Sequence, residues 1–233
     1  MAIDSQMRRL KLPGSDKAKK VLLIILVIVS IIVIIDYSVE NNKEEETGSQ
    51  QVFPKEELLD KITDHSEEEN KLYNEAFEKF HSGAYDESIN IANDILEKFP
   101  MSERAYNIKG IAEAFNGDFN QGLIDINKAI ELKEDYGYAL FNKALCYELY
   151  NDYENSLIWY DKALSVEQYL WSYYGKASIY GRQGNIDGVE VNLKKALEIA
   201  EKENVLKEVK EAAKVEEDFL SVRNNDRFVN LIN

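Results

Sequence analysis

The sequence predicts an all-α fold of stacked helix-turn-helix units behind a single transmembrane helix, and three observations carry the prediction. Four short breaks, Gly83-Ala84-Tyr85, Gly117-Asp118-Phe119, Asn151-Asp152-Tyr153 and Gly184-Asn185-Ile186, follow one another at intervals of 34, 34 and 33 residues. Self-similarity at such a period marks a repeat array. Glycine and proline number only 11 and 3 in 233 residues, about half the usual share, which favours long helices over many short strands. The third observation is Val21 to Ile35, a run of Val, Leu and Ile broken only by Ser30 and free of charge.

The chain opens on a basic segment, residues 1–20, where Arg8, Arg9, Lys11, Lys17, Lys19 and Lys20 outweigh Asp4 and Asp16. This segment carries +4 and the remainder −19, which together make the net −15. The apolar run behind it spans about 22 Å as a helix, short of a ~30 Å hydrocarbon core. Lys19 and Lys20 can snorkel at one end, and Tyr37 and Val39 extend the other. Residues 21–39 are therefore expected to form an uncleaved signal anchor. A buried globular helix would carry polar residues at helical spacing, and this run has none. A cleaved signal peptide needs small residues after its apolar core, whereas Ile35, Asp36, Tyr37, Ser38 and Val39 offer no small-x-small pair. Basic flanks stay in the cytoplasm. Six basic residues precede the span and Lys43 alone follows closely, among Glu40, Glu44, Glu45 and Glu46. The expected location is the cell membrane, single-pass, with a cytoplasmic N-terminus and an extracytoplasmic repeat domain. An organelle receptor with cytosolic repeats is the reverse arrangement, and the charge distribution counts against it.

Residues 40–65 form an acidic linker with Asn41-Asn42, a Glu run, Gly48, Ser49 and paired glutamines. A coil of about 30 residues sets the next domain ~30 Å from its attachment. Pro54 opens Lys55 to Thr63, where Leu58, Leu59 and Ile62 share one face and mark a possible short helix.

Four units, about 69–102, 103–136, 137–169 and 170–200, fill residues 66–200. Two columns keep the same register, Ala76, Gly110, Ala144 and Ala177, then Ile95, Ala129, Ala163 and Ala196, and small residues recur in them where two helices would touch. Large apolar residues recur beside them, with Leu72, Tyr106, Leu140 and Tyr173 early in each unit and Ala92, Ile126, Tyr160 and Leu193 late. The Gly or Asn at each break ends the first helix, because these residues accept a left-handed backbone cheaply. Ser66 with Glu69 forms a capping box that starts the array, and Pro100 with Ser102 separates the first two units.

A 34-residue unit of this pattern resembles the tetratricopeptide repeat family, most closely over Phe141-Asn142-Lys143-Ala144-Leu145-Cys146-Tyr147 and Tyr160-Asp161-Lys162-Ala163-Leu164. The resemblance covers about Glu69 to Ala200 and implies a right-handed superhelix. Ser88, Gly122, Ser156 and Val189 depart from the family's usual alanine, and its closing proline survives only as Pro100. Residues 201–233 are expected to be capping helices. Glu201 to Glu217 reads as a charged helix, and Phe219, Val222, Phe228 and Leu231 are expected to pack on the fourth unit, since a solenoid needs a closed end.

The resemblance further implies a concave groove, lined by the first helix of each unit, that binds extended peptides or helices. By register it receives Asn70, Tyr73, Asn74 and Phe77, then Arg104, Asn107 and Ile111, then Tyr138, Phe141 and Asn142, then Trp171, Tyr174 and Arg182. Amides can hydrogen-bond an extended backbone, and Tyr and Trp give large contact area at low entropic cost. Trp171 and Tyr138 are expected to be the most exposed, while the competing role for each aromatic is to fill a seam between helices. The clamp that co-chaperones of this family use on a terminal carboxylate maps to Tyr73, Phe77, Ile108, Tyr138 and Asn142, of which only Asn142 fits. A carboxylate would meet no countercharge there.

These readings exclude other classes of function. A net charge of −15 argues against nucleic-acid partners. One cysteine and two histidines leave no internal disulfide and no ordinary zinc set. His65 and His81 are expected to be solvated, Cys146 to pack in the core, and the carboxylate clusters Glu67-Glu68-Glu69 and Glu216-Glu217-Asp218 to lie on exposed faces. No phosphate loop or nucleophile motif occurs. No enzyme activity and no cofactor are therefore expected. The sequence favours a membrane-anchored scaffold that binds a peptide or protein segment at the cell envelope, with a self-associating envelope protein without a peptide ligand as the alternative.

Overall fold

Each break places its residue in the left-handed region, with φ of 80° at Gly83, 107° at Gly117, 64° at Asn151 and 69° at Gly184. The computed structural model describes residues 65–233. The basic segment 1–20, the 21–39 span, the candidate helix Lys55 to Thr63 and the 40–65 linker up to residue 64 lie outside the described residues. Among the described residues, no helix is long and apolar enough to cross a membrane.

The helices pair as the register requires. Unit one is α1 (Glu67–His81) and α2 (Tyr85–Lys98), and unit two is α3 (Glu103–Phe115) and α4 (Phe119–Leu132). Unit three is α5 (Gly137–Leu149) and α6 (Tyr153–Val166), and unit four is α7 (Leu170–Arg182) and α8 (Ile186–Lys202). Contacts run mainly within pairs and between consecutive units, so the architecture is an all-α solenoid of helical hairpins.

Close approach of the two helices in each unit follows from the small residues at their crossing. Ala76, Ala92, Ala144 and Ala177 have no exposed surface, and Ile126, Tyr160 and Leu193 close the same seams. Two of the departures from alanine are satisfied here. Ser88 donates its hydroxyl to the Ala76 carbonyl at 2.8 Å, and Ser156 does the same to Ala144 at 2.9 Å. A buried hydroxyl with an acceptor carries little desolvation penalty, so both serines fit where alanine is usual. In unit two the crossing is tighter, because Gly110 and Gly122 face each other with no side chain between.

Two local expectations change. The charged stretch from Glu201 is not one helix: α8 runs to Lys202, Asn204 turns the chain at φ 60°, and α9 (Leu206–Val215) begins afresh. A 3-10 turn (Glu217–Phe219) and α10 (Asp226–Ile232) complete the cap. At the other end, the Ser66 hydroxyl accepts from the Glu69 N–H at 3.1 Å. The Glu69 carboxylate leaves its half of the capping box and turns inward, accepting from Ser102 at 2.6 Å and Arg104 at 3.1 Å and pairing with His65 at 2.9 Å. Three partners, two of them from the N-cap and first turn of α3, outweigh one local N–H.

Candidate binding groove

The first helices α1, α3, α5 and α7 lie in sequence along one side of the solenoid, each touching the next first helix. Their register positions separate into an open part and a covered part. In units one to three, Tyr73, Phe77, Tyr138 and Phe141 are partly exposed, Asn70 and Asn74 are exposed, and Arg104 is partly exposed. Asn107, Ile111 and Asn142 are buried. The two asparagines face each other, Asn142 donating to the Asn107 side-chain carbonyl at 3.1 Å, so they tie α3 to α5.

Aromatic rings make the open part continuous. Tyr73 and Phe77 stand 6.1 Å apart on α1, Tyr138 stacks on Phe141 at 6.1 Å, and Phe141 meets Tyr169 edge-on at 5.1 Å. Tyr136, 6.5 Å from Tyr138, carries the strip toward Tyr73. Tyr136 and Tyr169 are additions to the residues read from the sequence. They sit at the N-caps of α5 and α7, one position before the helices from which the register was counted. Burial pushes the phenols of Tyr73, Tyr136, Tyr138 and Tyr169 well above the ordinary tyrosine value, so all four stay neutral hydrogen-bonding groups. Gly137, Tyr138, Ala163, Glu167 and Tyr169 enclose a small hollow of about 110 Å³.

Arg104 lies over the Tyr73 ring at 5.0 Å and is engaged by Glu69 at 3.1 Å and by the Asn70 amide oxygen at 2.5 Å. Glu69 thus pairs its charge, while the buried Nη2 has no partner. The strip offers apolar faces, phenol hydroxyls and amides rather than a countercharge.

The fourth unit differs, and the expected exposure of Trp171 is corrected. Trp171 and Tyr174 are 7% and 5% exposed: the chain's own closing segment packs on Tyr174, and Trp171 packs edge-on against Tyr174 in the same buried cluster. Phe219 is fully buried 5.8 Å from Tyr174, and Phe228 lies 5.1 Å behind it. Val222 is buried too, and Leu231 packs at the edge of the same cluster. Gly181 admits this approach, since a Cβ there would stand 2.7 Å from Phe219 and from the Asp218 carbonyl. Arg182 is not a free groove cation either. It donates to Asp218 at 2.7 Å, to Glu148 at 3.3 Å and to the Tyr153 hydroxyl at 2.9 Å. Ser178 also donates to Asp218, and Tyr160 to Glu148 at 2.7 Å. Burial raises Glu148 to about 7, Arg182 working against it, and burial raises Glu216 to about 7 as well.

Both histidines are corrected from solvated to packed. His65 bridges Glu69 at 2.9 Å and Glu103 at 3.2 Å. His81 is buried against Phe77, 4.2 Å between ring centres, and Phe80, and burial lowers its imidazole to about 4. An unfolded histidine titrates near 6.5, so the unfolded state binds the extra proton between pH ~6.5 and ~4. Stability contributed by neutral His81 is present above pH ~6.5 and is lost as pH falls, by about 3 kcal/mol at pH 4. Replacing the ring with one that cannot titrate, His81→Phe, should therefore gain stability over the native chain by about that amount between pH 7 and pH 4, measured by urea unfolding. An unchanged difference across that range would show that His81 titrates normally.

Cys146 is buried, which pushes its thiol well above the ordinary range. Glu113, on α3, is raised to about 8 by burial and by Asp125 beside it, with Lys109 3.2 Å from Asp125 holding the pair between α3 and α4. Among the described residues, no group of three or more His, Cys, Asp or Glu side chains is placed to hold a metal ion.

The fold and the strip define a helical-hairpin solenoid with partly exposed aromatics over three units and a closed fourth. Comparison with known proteins identifies the repeat. Residues 137–169 and 172–203, the third and fourth units, match the tetratricopeptide repeat model. A stretch of 65 residues is 38% identical to the uncharacterized protein MJ0572 of Methanocaldococcus jannaschii, over 28% of this chain and 76% of that one. The chain thus carries tetratricopeptide repeats. Among solved structures, PilW, described as a widely conserved type IV pilus biogenesis factor, is similar with a TM-score of 0.52 at 14% identity, over 72% of this chain and 91% of that one. MamA is similar with a TM-score of 0.49 at 22% identity, over 58% of this chain and 80% of that one.

Proposed function

We propose that this protein is a membrane-anchored scaffold whose open groove, units one to three, captures a segment of a protein partner and helps organise a complex at the cell envelope. The observation that carries the reading is the strip of partly exposed aromatics from Phe77 to Tyr169. Large rigid rings flanked by exposed Asn70 and Asn74 suit an extended segment with apolar or aromatic side chains. With Arg104 already paired, the segment is bound by its interior rather than by a terminal carboxylate. The apolar run Val21 to Ile35 serves as the anchor, and the basic residues ahead of it keep the N-terminus cytoplasmic. The repeat domain then works outside the membrane.

Two experiments test the two halves separately. Tyr138→Ala with Phe141→Ala is expected to weaken partner capture by ~100-fold or more, as loss of two aromatic anchors does, while helix content is unchanged by circular dichroism. Undiminished capture would end the groove assignment. A reporter active only outside the cytoplasm, fused after Asn233, is expected to be active. An inactive but expressed fusion would reverse the topology and leave the groove in place.

A further inference from the structure

The outer face of the second helices carries a pattern that the groove does not use. Ile124 on α4, Ile158 on α6 and Val191 on α8 are 59%, 47% and 64% exposed, and they occupy one and the same position in units two, three and four. One turn later in each helix stands a lysine, Lys128, Lys162 and Lys195. One turn earlier stand Asn120, Glu154 and Asp187, all exposed. The face is therefore an aliphatic ladder with a basic row along one edge and, along the other, one amide and two acids, of which Asp187 pairs with Arg227 at 2.7 Å. In unit one the same positions are Asp86, Asn90 and Asp94, so the ladder begins at the second unit.

We infer that this face pairs with the same face of a second copy of the chain, about a two-fold axis parallel to the ladder. A two-fold axis in the plane of contact and parallel to the ladder brings each unit against the same unit of the other copy. It lays aliphatic row on aliphatic row and reverses the helix direction, so that each Lys162 meets the partner's Glu154 and each Lys195 the partner's Asp187, whose present pair with Arg227 lies on exposed surface. An axis perpendicular to the ladder would set lysine against lysine, which costs binding energy. The bonds these lysines already make are weak competitors. Lys128 pairs with Glu131 at 3.0 Å and Lys195 with Glu198 at 3.1 Å on exposed surface, and Lys162 rests on the Trp159 ring at 3.7 Å. Exposed pairs of this kind contribute under ~1 kcal/mol.

The same axis leaves both copies of residue 65 at one end of the dimer. On the anchoring proposed above, two chains held in one membrane can therefore pair without either turning over. A ladder three units long is at the small end of stable interfaces. Pairing is weak in dilute solution and is promoted where a membrane raises the effective concentration.

The test uses the full chain with Ile158→Cys, treated with a short bismaleimide both in membranes and after purification in detergent. Native Cys146 is buried and serves as the unreactive background. The expected product is a covalent homodimer. Adding Lys162→Glu should cut its yield at least ~10-fold, and adding Glu154→Lys to that variant should restore it, because the swapped charges meet again across the axis. A chain that stays monomeric in both settings, cross-links through the introduced thiol to a different protein, or dimerises regardless of charge reversal would overturn the inference. The detergent arm separates this from anchoring, since a lost anchor leaves charge-sensitive pairing in place there.

Discussion

Arg182→Ala is expected to destabilise the chain by about 3–5 kcal/mol, the range seen when one partner of a buried ion pair is removed. For a domain of this size that corresponds to a fall in Tm on the order of 10 °C. Arg182 is the cation between Glu148 and Asp218, and both carboxylates are nearly buried. Without it, two acids from α5 and the closing segment face each other beside Tyr160 and Ser178. The loss should shrink on acidification, because burial already lifts Glu148 to about 7 and a protonated carboxyl needs no cation. Arg182→Lys should be intermediate, since one ammonium cannot replace a fork that reaches Asp218 and the Tyr153 hydroxyl at once. If Arg182 served a ligand instead, the alanine variant would melt within about 1 °C of the native chain and only capture would suffer.

Gly110→Ala should cost about 2–3 kcal/mol, as overpacking of a tight core does. A Cβ at Gly110 would stand 2.6 Å from the Gly122 carbonyl and 2.8 Å from Ile126, and two of the three nearest atoms are backbone that cannot rotate away. The helices α3 and α4 would have to separate, and the second unit carries Arg104 and the neighbours of Tyr73 in the groove. Gly137→Ala is the matched control. Its nearest neighbour would be 3.4 Å away at the flexible end of Glu167, so it should be neutral or slightly stabilising. Thermal unfolding of the two variants side by side decides the point. Equal Tm values would mean that the Gly110–Gly122 contact is not a constraint.

The repeat was legible in the sequence because its requirements are local. A left-handed break needs Gly or Asn, and a close helix crossing needs small residues, so both recur at the period of the unit. Asn204 escaped the pattern because it turns the chain between units rather than within one. The groove was legible only in part, and the reason is distance along the chain. Trp171, Tyr174 and Arg182 hold groove positions by register, yet residues 216–222 return from beyond α9 to meet Tyr174 and Arg182, and Trp171 is buried with Tyr174 in the same cluster. No spacing rule reports that return. Glu69 and His81 show the same limit at shorter range. The Phe77–His81 spacing of four residues was a usable sign of ring packing on one helix face. The partners of Glu69 lie 33 and 35 residues away and could not be read.

Photo-cross-linking from within the groove addresses the central claim most directly. A photoreactive phenylalanine analogue placed at Tyr138 of the full chain, in intact cells, should give one covalent adduct with a partner protein. The same group at Val215, exposed on α9 away from the strip, should give none. An adduct from Tyr138 that disappears when Tyr73 and Phe141 are changed to alanine is the result expected of a groove running over units one to three. No adduct from Tyr138, or an equal one from Val215, would contradict it.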